Sequence, residues 1–420
     1  MAVLARLETD RVSSNNGVLL VADGAEQTIE VFRQEVRSWV EVNFPPDLKG
    51  LGNPIMLEER PKPTEEQVAW RKAVGEKGWG TPTWPALYGG AGLSPAEARV
   101  IHQEFARAGA YNPIGGMGVM MFGPTLLEFG TEEQKLEHIP PICRGEVQWC
   151  QGYSEPGAGS DLASLQTRCE DMGDHYRING QKIWTSGAQW ADWCFCLVRT
   201  DPTKKHEGIS FVLFTMRQPG VEVRPIKLIA GSSPFCETFL KDVRAEKKDL
   251  VGPLNAGWTI GKRLLQHERS SISSMGNALG GSAALPDLAK AYVGVDTQGR
   301  LADRDLRTRI VANEMDGRAF QQTAMRAMAE AKGNSGPSAA TSIMKNAGTR
   351  WIQDRAELTL EIMGHQGLGW AGEDFAPAEL EAVRSWLGGK ASTIYGGSQE
   401  VQNNIISKRI LGLPDLTSTH

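Results

Sequence analysis

The chain has 420 residues, 40% hydrophobic and 23% charged, with a formal net charge of −5. This is enough apolar material to bury two or three cores, and lysine and arginine are dispersed rather than clustered, which argues against nucleic acid as the main partner. The most apolar stretch, residues 113–127, is interrupted by four glycines and Pro124, so a membrane span is not expected. Residues 1–25 read as a loose tail without the apolar core of a signal peptide, pointing to an untargeted, cytoplasmic protein. From residue 26 to about 145 the hydrophobic period is helical. "SPAEARVIHQEFARAGA" and "TEEQKLEHIPPICRG" both open on a Ser/Thr N-cap followed by early glutamates. From 151 to about 252 the period drops towards two, in runs such as "HYRINGQKIWTSG", "DWCFCLVRT", "GISFVLFTM" and "VEVRPIKLI", with Asn-Gly, Asp-Pro and Pro-Gly read as turns. The helical period then returns around 256–292, 302–332, 337–363 and 397–411. Helices and strands do not alternate, which disfavours a parallel Rossmann sheet. Six cysteines, Cys143, Cys150, Cys169, Cys194, Cys196 and Cys236, lack a CxxC ladder and read as reduced core thiols, with no metal site expected.

The stretch "QGYSEPGAGSD", residues 151–161, lies where the first helical region meets the strands. It lacks both the strand-loop-helix setting of GxGxxG and the Gly-Lys-Ser/Thr of a P-loop. By spacing alone it reads equally as a tight crossing turn capped by Asp161 and as a binding loop. Trp184 in "IWTSG" reads by itself as a core tryptophan, and Glu268 in "LLQHERSS" as part of a solvated helix face.

Taken in order, "GWGTPTWPALYGGAGLS", "GPTLLEFGTEEQK", "QGYSEPGAGSD", "INGQKIWTSGAQWADW", "LLQHERSS" and "IYGGSQEVQNNIISKRILGLPD" resemble the acyl-CoA dehydrogenase family over roughly residues 28–414. The resemblance implies an α+β fold: an N-terminal helical domain (26–148), a central antiparallel β-sandwich or barrel (149–253) and a C-terminal four-helix bundle (254–414), followed by a tail (415–420). It also implies FAD as cofactor, because no side chain accepts hydride. By the same resemblance, Gln151, Tyr153 and Ser154 line the flavin edge, while Gly159 and Ser160 approach phosphate and substrate. Trp184 packs on the ring, Thr185 and Ser186 offer donors near its reactive nitrogen, and Gly364, Ser398 and Glu400 complete the cofactor set. Ser160, Arg269, Tyr395, Gly396 and Gly397 fall to an acyl-CoA substrate.

Two departures from the family pattern stand out. Many members carry Tyr-Glu-Gly where this chain reads Tyr395-Gly396-Gly397, so the base for the α-proton is expected from the first helix after the sheet, at Glu268. The Arg-x-x-Phe-Gly segment that reaches a neighbouring subunit's FAD reads "VDTQGRLAD", with Val295 and Gln298 at the key places. Gln-x-x-Gly-Gly is altered to Glu361-Ile-Met-Gly364-His365. The expected assembly is therefore a homo-oligomer (dimer or tetramer) that holds the FAD tail differently, or an α2β2 heterotetramer in which a related subunit supplies the contacts, for example for steroid or cyclic side chains. The resemblance implies an electron-transferring flavoprotein as the acceptor in lipid catabolism. Acyl-CoA oxidases, usually longer, nitroalkane oxidases, with a carboxylate where Gly396 stands, and a non-catalytic binding paralogue are the competing readings.

Overall fold

A computed structural model describes residues 28–56, 60–266, 284–331 and 340–414. They fall into two compact units, one within Met1–Val119 and Leu126–Trp149, the other within Met120–Thr125 and Cys150–His420.

The first unit is helical: α1 (28–43), α2 (Glu65–Glu76), α3 (Pro95–Ala108) and α5 (Glu132–Cys143), with α4 (Gly123–Phe129) crossing from one unit to the other. Three of these helices start on the sequence signal. Thr64, Ser94 and Thr131 each accept from the amide three residues on, and Gln67, Glu97 and Gln134 reach back to the cap amide. The apolar faces meet on an aromatic cluster in which Trp70 contacts Trp39, Phe44 and Phe105 at ring separations of 5.0–5.5 Å. The Trp70 indole N–H donates to Tyr111 O at 2.9 Å, so the ring is buried without stranding its one donor.

The second unit opens with β1 (Trp149–Gly152), β2 (Arg168–Asp171), β3 (His175–Ser186), β4 (Trp193–Arg199), β5 (Ile209–Thr215), β6 (Val221–Ile226), β7 (Phe235–Glu246) and β8 (Leu250–Val251). They form one eight-stranded sheet in the order β6-β7-β3-β2-β4-β5-β8, with β1 on β4. The described pairings are antiparallel except for β2 on β4. Asn179-Gly180, expected as a turn, lies inside β3 instead. The register against β7 shifts between Ile178 and Gly180, so the dipeptide forms a bulge. The cause is tertiary: a Cβ at residue 180 would stand 2.5 Å from Thr167 Oγ1, and the Asn179 side chain is held by Asp242 from the next strand.

The strands lead into α6 (257–266), α7 (Leu285–Tyr292), α8 (Arg304–Ala331), α9 (Ala340–Met363), α10 (Pro377–Gly389) and α11 (Gln399–Ile405). Helix α9 packs against α7, α8, α10 and α11. The hydrophobic period does not reveal α10, although Pro377 at its first turn and Glu379, which accepts from Ala376 N at 2.7 Å, form a start signal. Helix α6 backs onto the sheet through two glycines: a Cβ at Gly257 would meet the Ser210–Phe211 backbone at 2.3 Å, and one at Gly261 would meet Leu197 at 3.1 Å.

Candidate active site

β1 ends at Gly152, a position with no room for a side chain. A Cβ there would lie 2.8 Å from Cys196 Sγ and 2.9 Å from Cys194 Sγ. The chain then runs into a turn closed by paired amide-to-carbonyl bonds between Glu155 and Ala158, each 3.0 Å. Glu155, the carboxylate of this loop, is buried and accepts from Lys182 Nζ at 2.8 Å, Gln166 N at 2.6 Å and Thr167 N at 2.9 Å. Burial pushes its carboxyl up, but the Lys182 charge and these donors outweigh burial and hold it below the ordinary value. A fully engaged carboxylate of this kind is a structural anchor. Gly157 within the turn and Gly159 and Ser160 past it are exposed, and a Cβ on either glycine would meet nothing within 4 Å. The protein's own packing therefore gives no reason for those two glycines, whereas a ligand lying against the backbone would.

The second wall comes from β3. Ile183 N donates to Ser154 O at 2.9 Å, so the loop and the 182–186 stretch are neighbours. At the next residue, Trp184, the backbone is left-handed (φ 60°) where β3 and β7 lose register between Lys182 and Thr185. A left-handed conformation costs a non-glycine residue about 1–2 kcal/mol and persists only where its surroundings over-determine it. The effect is to turn the indole outward: Trp184 is 52% exposed and touches Phe235 edge-on at 6.2 Å. An exposed tryptophan on strained backbone, beside an open glycine loop, fits a flat ring system laid against it. Ser154 and Ser186, both half-buried, flank it with hydroxyls.

Two expected side chains are buried. The ring of Tyr153 is buried and sits edge-on to Phe195 and Phe211 at 6.2 and 6.4 Å, so it belongs to the interior. Thr185 is fully buried, and its hydroxyl finds no hydrogen-bond partner among the described residues, so it is left as an orphaned donor next to Trp184. Gln151 lies half-buried on β1. A cavity of about 480 Å³ beside the turn, lined by Glu155, Gly157, Gln166, Thr167, Gly180 and Gln181, does not include Trp184 or Ser186 and is separate from the surface they present.

The remaining predicted positions gather around α9. Lys345, buried on α9, donates to Ser392 O at 2.5 Å and lies 5.6 Å from the centre of the exposed Tyr395 ring. Gly396 and Gly397 are both left-handed (φ 64° and 94°), and a Cβ at 397 would strike Gln402 Nε2 at 2.5 Å. Glycine there is a requirement of the backbone as well as a vacated side-chain place. Ser398 caps α11 through Val401 N, and its hydroxyl leads in lowering the pKa of the exposed Glu400. Gly364 is left-handed (φ 56°) just past α9, and Glu361 is engaged by Arg309 of α8 through bonds of 2.7 and 2.6 Å. Val295 is exposed, and Gln298 N bonds to Asp296 in a small loop. Glu268 and Arg269 lie outside the described residues.

The six cysteines are free and buried, and burial pushes the Cys169 thiol up to about 12. Among the described residues no helix is long and apolar enough to cross a membrane. Sequence reasoning missed Lys182, since "QKIW" reads as an ordinary strand with a solvated lysine. Its partner lies 27 residues away and leaves no local signal.

Three family models match in chain order: the acyl-CoA dehydrogenase N-terminal domain over residues 26–146, the middle domain over 150–243 and the C-terminal domain over 255–411. "Acyl-CoA dehydrogenase IpdE1" of Mycolicibacterium smegmatis is 37% identical, covering 92% of this chain and 98% of that protein. Among solved structures, "Tcur3481-Tcur3483 steroid ACAD" is similar at TM-score 0.72 and 30% identity, covering 92% of this chain and 98% of that one. The "ChsE4-ChsE5 complex from Mycobacterium tuberculosis" is similar at TM-score 0.71 and 30% identity, with the same coverage.

Proposed function

The chain belongs to the acyl-CoA dehydrogenase family of oxidoreductases, and we propose that it catalyses FAD-dependent α,β-dehydrogenation of an acyl-CoA thioester to the 2,3-enoyl-CoA. The observation that carries this reading is the outward-turned, left-handed Trp184 beside the open glycines of the 151–160 loop. When bound, FAD supplies the acceptor for the β-hydrogen as hydride. Trp184 would lie against its ring, with the hydroxyls of Ser154 and Ser186 at the ring's edge and the 157–160 backbone open towards phosphate and the thioester's CoA. Gly364, Ser398 and Glu400 belong to the same proposal as contacts for the rest of the cofactor.

Glu268 is the proposed base, taking the α-proton onto its carboxylate while backbone donors hold the thioester carbonyl against the charge that develops there. The glycine at 396 supports this, because its left-handed φ suits no ordinary side chain and leaves the other family position for a carboxylate unused. Arg269, Tyr395, Gly396 and Gly397 are proposed to border the acyl group, and an electron-transferring flavoprotein to take the electrons. The domain bounds 26–148, 149–253 and 254–414 and a cytoplasmic location are part of this reading.

A second reading is favoured by the Arg309–Glu361 pair. The family's glutamine place here holds a carboxylate committed to this chain's own α8, and Val295 and Gln298 stand where a neighbour's FAD would be met. We therefore also propose assembly with a related subunit, with ring-bearing or steroid-derived acyl groups as candidate substrates. Two of the similar structures are described as two-component assemblies, one of them a steroid enzyme.

Both readings are tested by purifying the chain alone and mixing it anaerobically with straight, branched and ring-bearing acyl-CoA thioesters while following flavin absorbance. Bleaching by one class identifies the substrate, and Glu268→Gln should slow it by about 10³-fold or more, as loss of a catalytic base does. No bleaching of FAD-loaded chain by any thioester, or undiminished bleaching by Glu268→Gln, sinks the catalytic proposal. Yellow, active protein without a partner sinks the obligate-partner reading.

A further inference from the structure

We propose that the buried Lys182–Glu155 pair is a positioning element for the cofactor surface: it fastens the 151–160 loop to the β3 bulge and thereby sets where Ser154 and Trp184 stand. The inference rests on the FAD reading above. Lys182 is 1% exposed and spends its ammonium on two acceptors, Glu155 Oε1 at 2.8 Å and Tyr153 O at 3.1 Å. The second bond fixes the carbonyl that precedes Ser154. Glu155 in turn collects Gln166 N and Thr167 N, so one carboxylate ties its own loop to β3 and to the entry of β2.

The position of Lys182 matters as much as its partners. It is the last residue in register before the break with β7, and Trp184 takes its left-handed φ inside that break. Ile183 N, between them, donates to Ser154 O at 2.9 Å. Loop and bulge are thus joined at two adjacent points, Lys182 to Tyr153 and Ile183 to Ser154, immediately beside the two residues proposed to face the flavin. Replacing a buried ion pair by apolar groups is often neutral for stability, so burial of this pair does not by itself account for it. Directional bonds that select one geometry for a strained neighbour would.

The test compares wild type with Lys182→Met/Glu155→Gln, which leaves no unpaired buried charge, and with Trp184→Gly in both backgrounds. FAD affinity is measured by titrating apoprotein, ring environment by visible circular dichroism, and folding by thermal unfolding of the apoprotein. The double variant should still unfold cooperatively but bind FAD about tenfold more weakly, the scale on which supporting residues affect a bound group. Trp184→Gly should weaken FAD in wild type but add less than about twofold in the double variant, because the pair acts through that residue. Equal FAD affinity and an unchanged spectrum in the double variant overturn the inference, as do independent, multiplying effects at 184. If the double variant does not fold, Glu155→Asp, which keeps both charges and moves the carboxylate by one methylene, takes its place: weaker FAD binding supports the inference and unchanged binding overturns it. A wild type that takes up no FAD even when assembled with a related subunit defeats the FAD reading itself and this inference with it.

Discussion

The two units each bury a carboxylate, and they neutralise it in opposite ways. In the helical unit Glu104 of α3, 3% exposed, is met by Arg33 and Arg37 of α1 and by Arg107, at 2.7–3.2 Å. The side chains of these three arginines are 24%, 34% and 44% exposed. Arg37's hydrogen bonds lead, against the cost of burial and with help from Arg107 and Arg33, in pulling the Glu104 carboxyl down to about 2. In the sheet unit Glu155 has one cation, Lys182, as dry as itself, and two backbone amides. The first arrangement is redundant and half in water. The second is single and dry, so geometry, rather than charge alone, depends on every member of it.

The contrast breaks most visibly at Glu155. Glu155→Ala strands the Lys182 ammonium in the interior and should cost about 3–5 kcal/mol in urea unfolding. A loss under about 1 kcal/mol would mean that the pair is not dry and the contrast is false. Glu104→Ala should cost less, about 2–3 kcal/mol, because the guanidiniums it abandons can turn into water. Removing Arg33 alone should cost less again, since two partners remain.

Acid sharpens the comparison. The folded Glu104 carboxyl titrates near 2 and its ordinary value is 4.5, so the group is depressed by folding. Its contribution is fully present above about 4.5 and is lost as pH falls towards 2. Relative to Glu104→Gln, wild type should lose about 2 kcal/mol across that window, after allowing for solvent screening of the guanidiniums. A difference that does not change with pH would show that the arginines do not hold the charge. The smallest expected effect is that of salt. Between 0.1 and 1 M the screening length falls from about 10 to 3 Å, so the wild-type advantage over Glu104→Ala should shrink by a few tenths of a kcal/mol, while that over Glu155→Ala should hold.

How much of this was legible differs along the chain. The three capping boxes at Thr64, Ser94 and Thr131 satisfy groups three residues apart, and those at Ser94 and Thr131 are plain in the letters alone. The acyl-CoA dehydrogenase architecture was legible too, from ordered motifs rather than from any one of them. At the site, the letters alone read Trp184 as a core tryptophan, whereas it is exposed, and nothing in them shows that the Tyr153 ring and the Thr185 hydroxyl are buried. A strand's face depends on its register, and the register of β3 shifts twice, beside Asp242 of β7 and beside the 151–160 loop.

By itself, then, the sequence determined what short-range physics determines: where helices begin, which stretches alternate, and where glycine leaves a backbone open. Tertiary structure alone decided that Asn179-Gly180 is a bulge, that Glu155 is an anchor fastened to Lys182, and that Trp184 faces outward on left-handed backbone. Each of these needs partners from 11 to 63 residues away, brought together by the fold, and no local pattern of residues records such a partner in advance.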